Sequence, residues 1–192
     1  MQVYKAEDDA DLQFSFPDDL KWDELDKQGV KLPVKMKFVD IVIEREDDVL
    51  LVEIKDPSHV KSPDKERNSY LKRLQDNSIL TNELTPKARD SYTYLHLMER
   101  DTKPFKYIVL IGLDAYDKEI QKALLGNYKN RLLTDIRCES YEPWKREYIA
   151  DCAVMSVDVW NKKYSDWPSK ISPGTAGGFT IAAPSKGADR NR

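Results

Sequence analysis

The 192-residue chain has only two cysteines, two histidines and seven glycines. Cys138 and Cys152 are too few and too widely spaced for a disulfide framework. They form no ligand pattern with His59 or His96, which excludes a structural zinc site. Glycine-rich phosphate loops and dinucleotide fingerprints are missing, and so is any nucleophile-elbow or triad motif. A different enzyme on an α/β scaffold therefore has no motif in its support. The sequence contains no apolar run long enough to cross a bilayer and no secretory signal, so a cytoplasmic protein without a membrane partner is expected. Internal repeats are absent. A net charge of −3 also lacks the overall basicity of a passive nucleic-acid binder.

Charged residues are plentiful, at 34% of the chain, but unevenly spread. Residues 1–28 hold nine acids and three bases, a net −6, which leaves the remainder at +3. The excess negative charge therefore lies away from the most informative segment. That segment is Lys37-Phe-Val-Asp-Ile-Val-Ile-Glu-Arg-Glu46, then Asp47-Asp48, then Val49-Leu-Leu-Val-Glu-Ile-Lys55. Two apolar runs joined by a tight acidic turn predict a β-hairpin. A two-residue turn at Asp47-Asp48 pairs Glu46 with Val49, Ile41 with Ile54 and Asp40 with Lys55. Side chains alternate faces along a strand, so Asp40, Val42, Glu53 and Lys55 share one face. Val39, Ile41, Ile43, Val52 and Ile54 share the other. Asp40 and Glu53 then lie diagonally across the pair, with backbones about 7–8 Å apart.

Two carboxylates and one ammonium on a sheet face suit metal-assisted phosphodiester cleavage. Mg²⁺ takes oxygen ligands, usually one or two carboxylates with water and phosphate completing the octahedron. In that arrangement Asp40 and Glu53 are metal ligands, and Ile54 adds only its backbone carbonyl. Lys55 orients the attacking water and offsets transition-state charge. The competing interpretation of Glu-x-Lys on a strand is a solvated face carrying a weak ion pair.

Asp40 followed by Glu53-Ile54-Lys55 after a hairpin resembles the PD-(D/E)XK phosphodiesterase superfamily. The likeness covers about residues 18–113, with Val39 standing where many members have proline. It implies an α/β, restriction-endonuclease-like fold, with a mixed central sheet flanked by helices. It also implies Asp40, Glu53 and Lys55 as the catalytic set, Mg²⁺ or Mn²⁺ as cofactor, and nucleic acid as substrate, DNA by analogy with most relatives. The family often adds an acid from a helix preceding the core strands, and Glu24 is the candidate here, with Asp23 second. Lys72, Arg73, Lys87 and His59 are the candidate substrate-binding residues.

Flanking segments fit such a core. A short helix is expected over Asp18–Lys27, stopped by Gly29, and a short entry strand within Lys31–Met36. Helices are expected over Asp64–Leu80, Thr85–Met98 and Asp117–Leu133, with strands at Lys106–Leu113 and Tyr148–Trp160. One nuclease-like domain over residues 1–164 follows, its core spanning about 18–160. Residues 165–192, rich in proline, glycine and serine, suggest a flexible tail. The alternative function is a nuclease-fold subunit or degenerate binding module in a larger defence or nucleic-acid-processing complex. Trp144, Trp160, Tyr164 and Trp167 would then anchor a protein partner. A homodimer is compatible with either reading.

Overall fold

The computed structural model describes residues 2–5, 12–27, 33, 35–55, 69, 72–73, 76–112, 118–142, 144–167 and 169–171. Its centre is a five-stranded mixed sheet ordered β3-β4-β5-β6-β7, with β3 at Lys21–Glu24, β4 at Ile41–Glu44 and β5 at Val49–Lys55. Strands β6 (Phe105–Ile111) and β7 (Asp151–Ser156) complete it. The pairs β3–β4 and β4–β5 are antiparallel, whereas β5–β6 and β6–β7 are parallel. A smaller antiparallel sheet is formed by β1 (Gln2–Lys5), β2 (Leu12–Phe16) and β8 (Ser169–Ile171), in the order β1-β2-β8. Among the described elements, three α-helices flank them: α1 over Thr85–Leu97, α2 over Lys118–Arg137 and α3 over Val157–Lys163. A π-helical segment, Leu80–Leu84, runs directly into α1.

The strands β5 and β6 explain the layering. Their side chains are buried on both faces, apart from Lys55 and Lys106 near the ends. Such strands need cover on each side. On one face Val42, Leu51, Tyr107 and Val109 pack with Leu84, Ala88 and Leu95 of the π segment and α1, and with Leu132 and Ile136 of α2. On the other, Ile41, Ile43, Leu50, Val52 and Leu110 meet Leu12, Phe14 and Phe16 of the small sheet and Trp160 of α3.

The hairpin forms with its tight turn at Glu46-Asp47, one residue earlier than expected. Arg45 N donates to Asp48 O at 2.8 Å, and Glu44 pairs with Val49. Ile41 therefore opposes Val52, a register two residues from the expected one. Asp48 decides this. Its buried carboxylate accepts from Arg45 Nε at 2.6 Å and meets Lys106 Nζ at 2.7 Å, so it cannot stand in a solvated turn. A shift of two keeps every strand side chain on its expected face. Val39 departs from expectation: it precedes the strand and packs with the Val42 face.

Other expectations are corrected. The helix expected over Asp18–Lys27 is instead a turn at 17–20, closed by Leu20 N on Pro17 O, followed by the edge strand β3. Trp22 draws this segment into the sheet by packing against the Phe16 ring at 4.9 Å and the Tyr4 ring at 5.8 Å. The last expected strand ends at Ser156, whose hydroxyl accepts from Val159 N and begins α3. Residues at the start of the expected tail belong to the fold: Trp167 stacks on Tyr164 and Ser169–Ile171 pairs with β2. The expected entry strand has no counterpart among its described residues, Pro33, Lys35 and Met36. Most of the helix expected over 64–80, and residues 172–192, lie outside the described residues.

The aromatic anchors also move. Trp160 and Tyr164 are buried between the two sheets, leaving Trp144 as the substantially exposed one of the four. Trp160 packs edge-on to Phe14 at 5.6 Å and donates its indole N–H to Trp167 O at 3.1 Å. Trp160→Ala is expected to destabilise the fold by about 3–5 kcal/mol, read as a lower urea midpoint. An unchanged midpoint would mean that the small sheet and α3 are not held by this contact.

Candidate metal and phosphodiester site

Glu53 sits in the middle strand with its side chain wholly buried. Lys55 Nζ and Lys87 Nζ both lie 2.9 Å from its Oε1. Neither ammonium is aligned for a hydrogen bond, and among the described residues neither Glu53 oxygen has a hydrogen-bonded partner. A buried carboxylate without aligned donors is costly unless a charge compensates it.

Asp40 lies one residue before β4, and continuing the β4–β5 register by a step sets it across from Glu53. Its placement is local in origin. The Ile54 N–H points to the β4 side beyond the first residue of that strand, and Asp40 Oδ2 accepts it at 2.6 Å. Helix α1 holds the approach to this position: Lys37 N donates to Asp90 Oδ2 at 2.8 Å and Val39 N to Ser91 Oγ at 2.9 Å. Burial and the neighbouring Glu53 charge push the Asp40 carboxyl up to about 7. Lys87, the Ile54 amide and Lys55 oppose that shift.

Two further acids join the cluster. Asp26, just past β3, has Oδ2 3.9 Å from Lys87 Nζ, and Asp40 Oδ1 is equally far from that nitrogen. Glu83, in the π segment, has Oε2 3.5 Å from Lys55 Nζ, while its Oε1 is engaged by Arg73. Glu83 and Lys87 are four residues apart, so one side of the continuous helical stretch delivers both to the sheet edge. The pooled negative charge reaches the surrounding tyrosines. Burial raises the Tyr4 and Tyr107 hydroxyls, and Asp40 and Glu53 add to both shifts.

Of the sequence-derived candidates, Asp40, Glu53, Lys55 and Lys87 come together. Arg73 reaches them indirectly through Glu83. Glu24 opposes Ile41 on β3 and leans to the face opposite Glu53; Asp26 is the acid from that segment that contacts Lys87. Asp23 pairs with Arg100 at 3.2 Å. Lys72 is exposed, and His59 lies outside the described residues. Asp26 and Glu83 were not singled out in the sequence because neither stands at a characteristic spacing from Glu53-Ile54-Lys55. An acid four residues before Lys87 was the available signal for Glu83.

Among the described residues, no group of three or more His, Cys, Asp or Glu side chains is arranged to hold a metal ion. The available donors are hard oxygens: Asp40, Glu53 and the Ile54 carbonyl. They fit a small divalent cation that keeps most of its waters, and the unbonded Glu53 oxygens favour such an occupant. The cluster lies where β5 ends, at the carboxyl edge of the parallel strands, the edge at which open α/β sheets bind ligands.

Comparison of the chain with protein-family models, with curated proteins and with solved structures finds no match.

The raised Asp40 pKa has a defined consequence for stability. Between its unfolded value near 3.8 and about 7, the folded protein keeps a proton that the unfolded chain releases. This contribution to stability is present at low pH and is lost as pH rises towards 7. Urea unfolding in EDTA should show Asp40→Asn gaining roughly 1–3 kcal/mol on the wild type between pH 5 and pH 8. Parallel pH profiles would show that Asp40 titrates as an ordinary carboxylate.

Proposed function

We propose that this chain is a metal-dependent nuclease built on a restriction-endonuclease-like core, cutting phosphodiester bonds of nucleic acid, with DNA as the favoured substrate. The observation that carries the proposal is the buried Glu53 carboxylate, which has no aligned hydrogen-bond donor among the described residues, with Asp40 across the strand pair and Lys55 Nζ at 2.9 Å. The mixed sheet supports the fold assignment, because its antiparallel strands lead into a parallel half covered by helices. The strand found where a preceding helix was expected is a departure from the family pattern.

Asp40, Glu53 and the Ile54 carbonyl would hold Mg²⁺ or Mn²⁺. The bound cation supplies Lewis-acid polarisation of the phosphate and lowers the pKa of a coordinated water. The protein groups do the rest. Lys55 is partly exposed, so it can meet a substrate phosphate while its ammonium remains beside Glu53. It orients the attacking water and offsets the charge that builds on the phosphoryl oxygens. Glu83, salt-bridged to Arg73, limits the swing of Lys55 and keeps its ammonium over the reacting centre. The water oxygen gives up a proton to solvent and bonds to phosphorus, the P–O ester bond breaks, and the leaving oxygen takes a proton from solvent.

The test is cleavage of labelled single- and double-stranded DNA and RNA with Mg²⁺, Mn²⁺ or EDTA. Cation-dependent cutting is expected, and Lys55→Ala and Glu53→Gln should each lower the rate by at least about 100-fold. Absence of cutting by folded wild-type protein on all four substrates would sink the proposal. So would cutting that survives EDTA or the Lys55 substitution.

A further inference from the structure

Lys87 has a place in this cluster that the nuclease chemistry does not use. Its ammonium lies within 4.0 Å of three carboxylates: Glu53 at 2.9 Å, and Asp26 and Asp40 each at 3.9 Å. Glu53 is wholly buried and without an aligned donor, so the ammonium compensates its charge without satisfying its geometry. A group that neutralises a site while leaving its oxygens unbonded stands where a small cation would.

We propose that Lys87 is a built-in counter-ion that occupies the cation subsite and must be displaced when a divalent cation binds. This inference rests on the nuclease reading of the same residues. Three features favour it. First, Lys55 pairs with Glu53 and Glu83, whereas Lys87 Nζ lies within 4.0 Å of both proposed ligand carboxylates, Glu53 at 2.9 Å and Asp40 at 3.9 Å, and so stands between the oxygens that a cation with ligand distances of about 2.0–2.1 Å would bridge. Second, the contacts of Lys87 at the cluster among the described residues are ion pairs, made from a flexible four-carbon stem rooted in the first turn of α1. Third, Asp26 offers a place to retreat: its side chain is about half exposed, on the solvent side of the cluster, and already faces Lys87. An ammonium moved towards Asp26 remains at the mouth of the site, where a substrate phosphate would arrive. Arginine at position 87 would compensate charge but present a planar fork, which is why methionine, with a similar unbranched stem and no charge, is the informative replacement.

The experiment is calorimetric titration of Mn²⁺ into wild type, Lys87→Met and Glu53→Gln, alongside thermal unfolding of each in EDTA and in Mn²⁺. Lys87→Met is expected to bind Mn²⁺ about tenfold more tightly or better, because the cation no longer competes with a resident charge. In EDTA the variant should melt below the wild type, since removing one partner leaves buried carboxylates uncompensated. The Mn²⁺-induced rise in Tm should then exceed that of the wild type, a readout that survives poor folding of the variant. Equal or weaker Mn²⁺ binding by Lys87→Met, with Glu53→Gln abolishing binding, would overturn the counter-ion role and leave the nuclease reading intact. Absence of Mn²⁺ binding by both wild type and Lys87→Met would overturn the two together.

Discussion

A carboxylate buried in the central strand of the sheet is the constraint around which the rest is arranged. Glu53 belongs to a strand covered on both faces, where an isolated charge is not tolerated. The fold answers with ammonium groups from two sources, Lys55 two residues along the same strand and Lys87 from α1. Neither supplies aligned hydrogen bonds, so the charge is balanced while the oxygens stay available. A purely structural ion pair would gain from closing those bonds. Leaving them open is the feature on which the proposed cation site rests.

The same constraint accounts for the surroundings. Asp40 is turned towards Glu53 because the Ile54 amide lacks a strand partner there and draws the Asp40 carboxylate to it. Helix α1 carries Lys87 inward and, through Asp90 and Ser91, fixes the chain entering Asp40. One helix therefore sets the position of both an acid and its counter-charge. Glu83, in the π-helical segment that runs into this helix, faces Lys55. Away from this end of the sheet, the small sheet and α3 act as cover. Their aromatic residues bury the second face of β5 and β6, so the sheet can hold the charged end of β5 in one place.

Much of the frame was legible from periodicity. The hairpin, helix α1 from Thr85 and the apolar strand β6 all follow from local patterns of apolar residues, punctuated by proline or an acidic turn. The segment after Pro17 reads as a helix because Asp18 or Asp19 could cap it, Leu20 and Glu24 lie four apart and Gly29 could stop it. Only the Phe16 and Tyr4 rings, brought from other strands, explain why Trp22 makes it an edge strand. The hairpin turn lies one residue before the Asp47-Asp48 position for a similar reason. Asp48 looks like a turn residue until Lys106, 58 positions away, is seen against it.

By itself, the sequence determined that Glu53 and Lys55 share a face, because alternation along a strand is a local property that survives a register shift of two. It also determined that Asp40 could meet them, since a hairpin returns the chain to its own start. Tertiary structure alone decided which further charges complete the cluster. Asp26, Glu83 and Lys87 reach it from an edge strand's exit, a π segment and a helix, and no sequence spacing encodes the docking of those elements on the sheet. It also decided that Trp160 and Tyr164 are core rather than surface, because their burial depends on a second sheet closing over them. Local patterns specify which face a side chain takes; the company it keeps there is set by how distant faces pack.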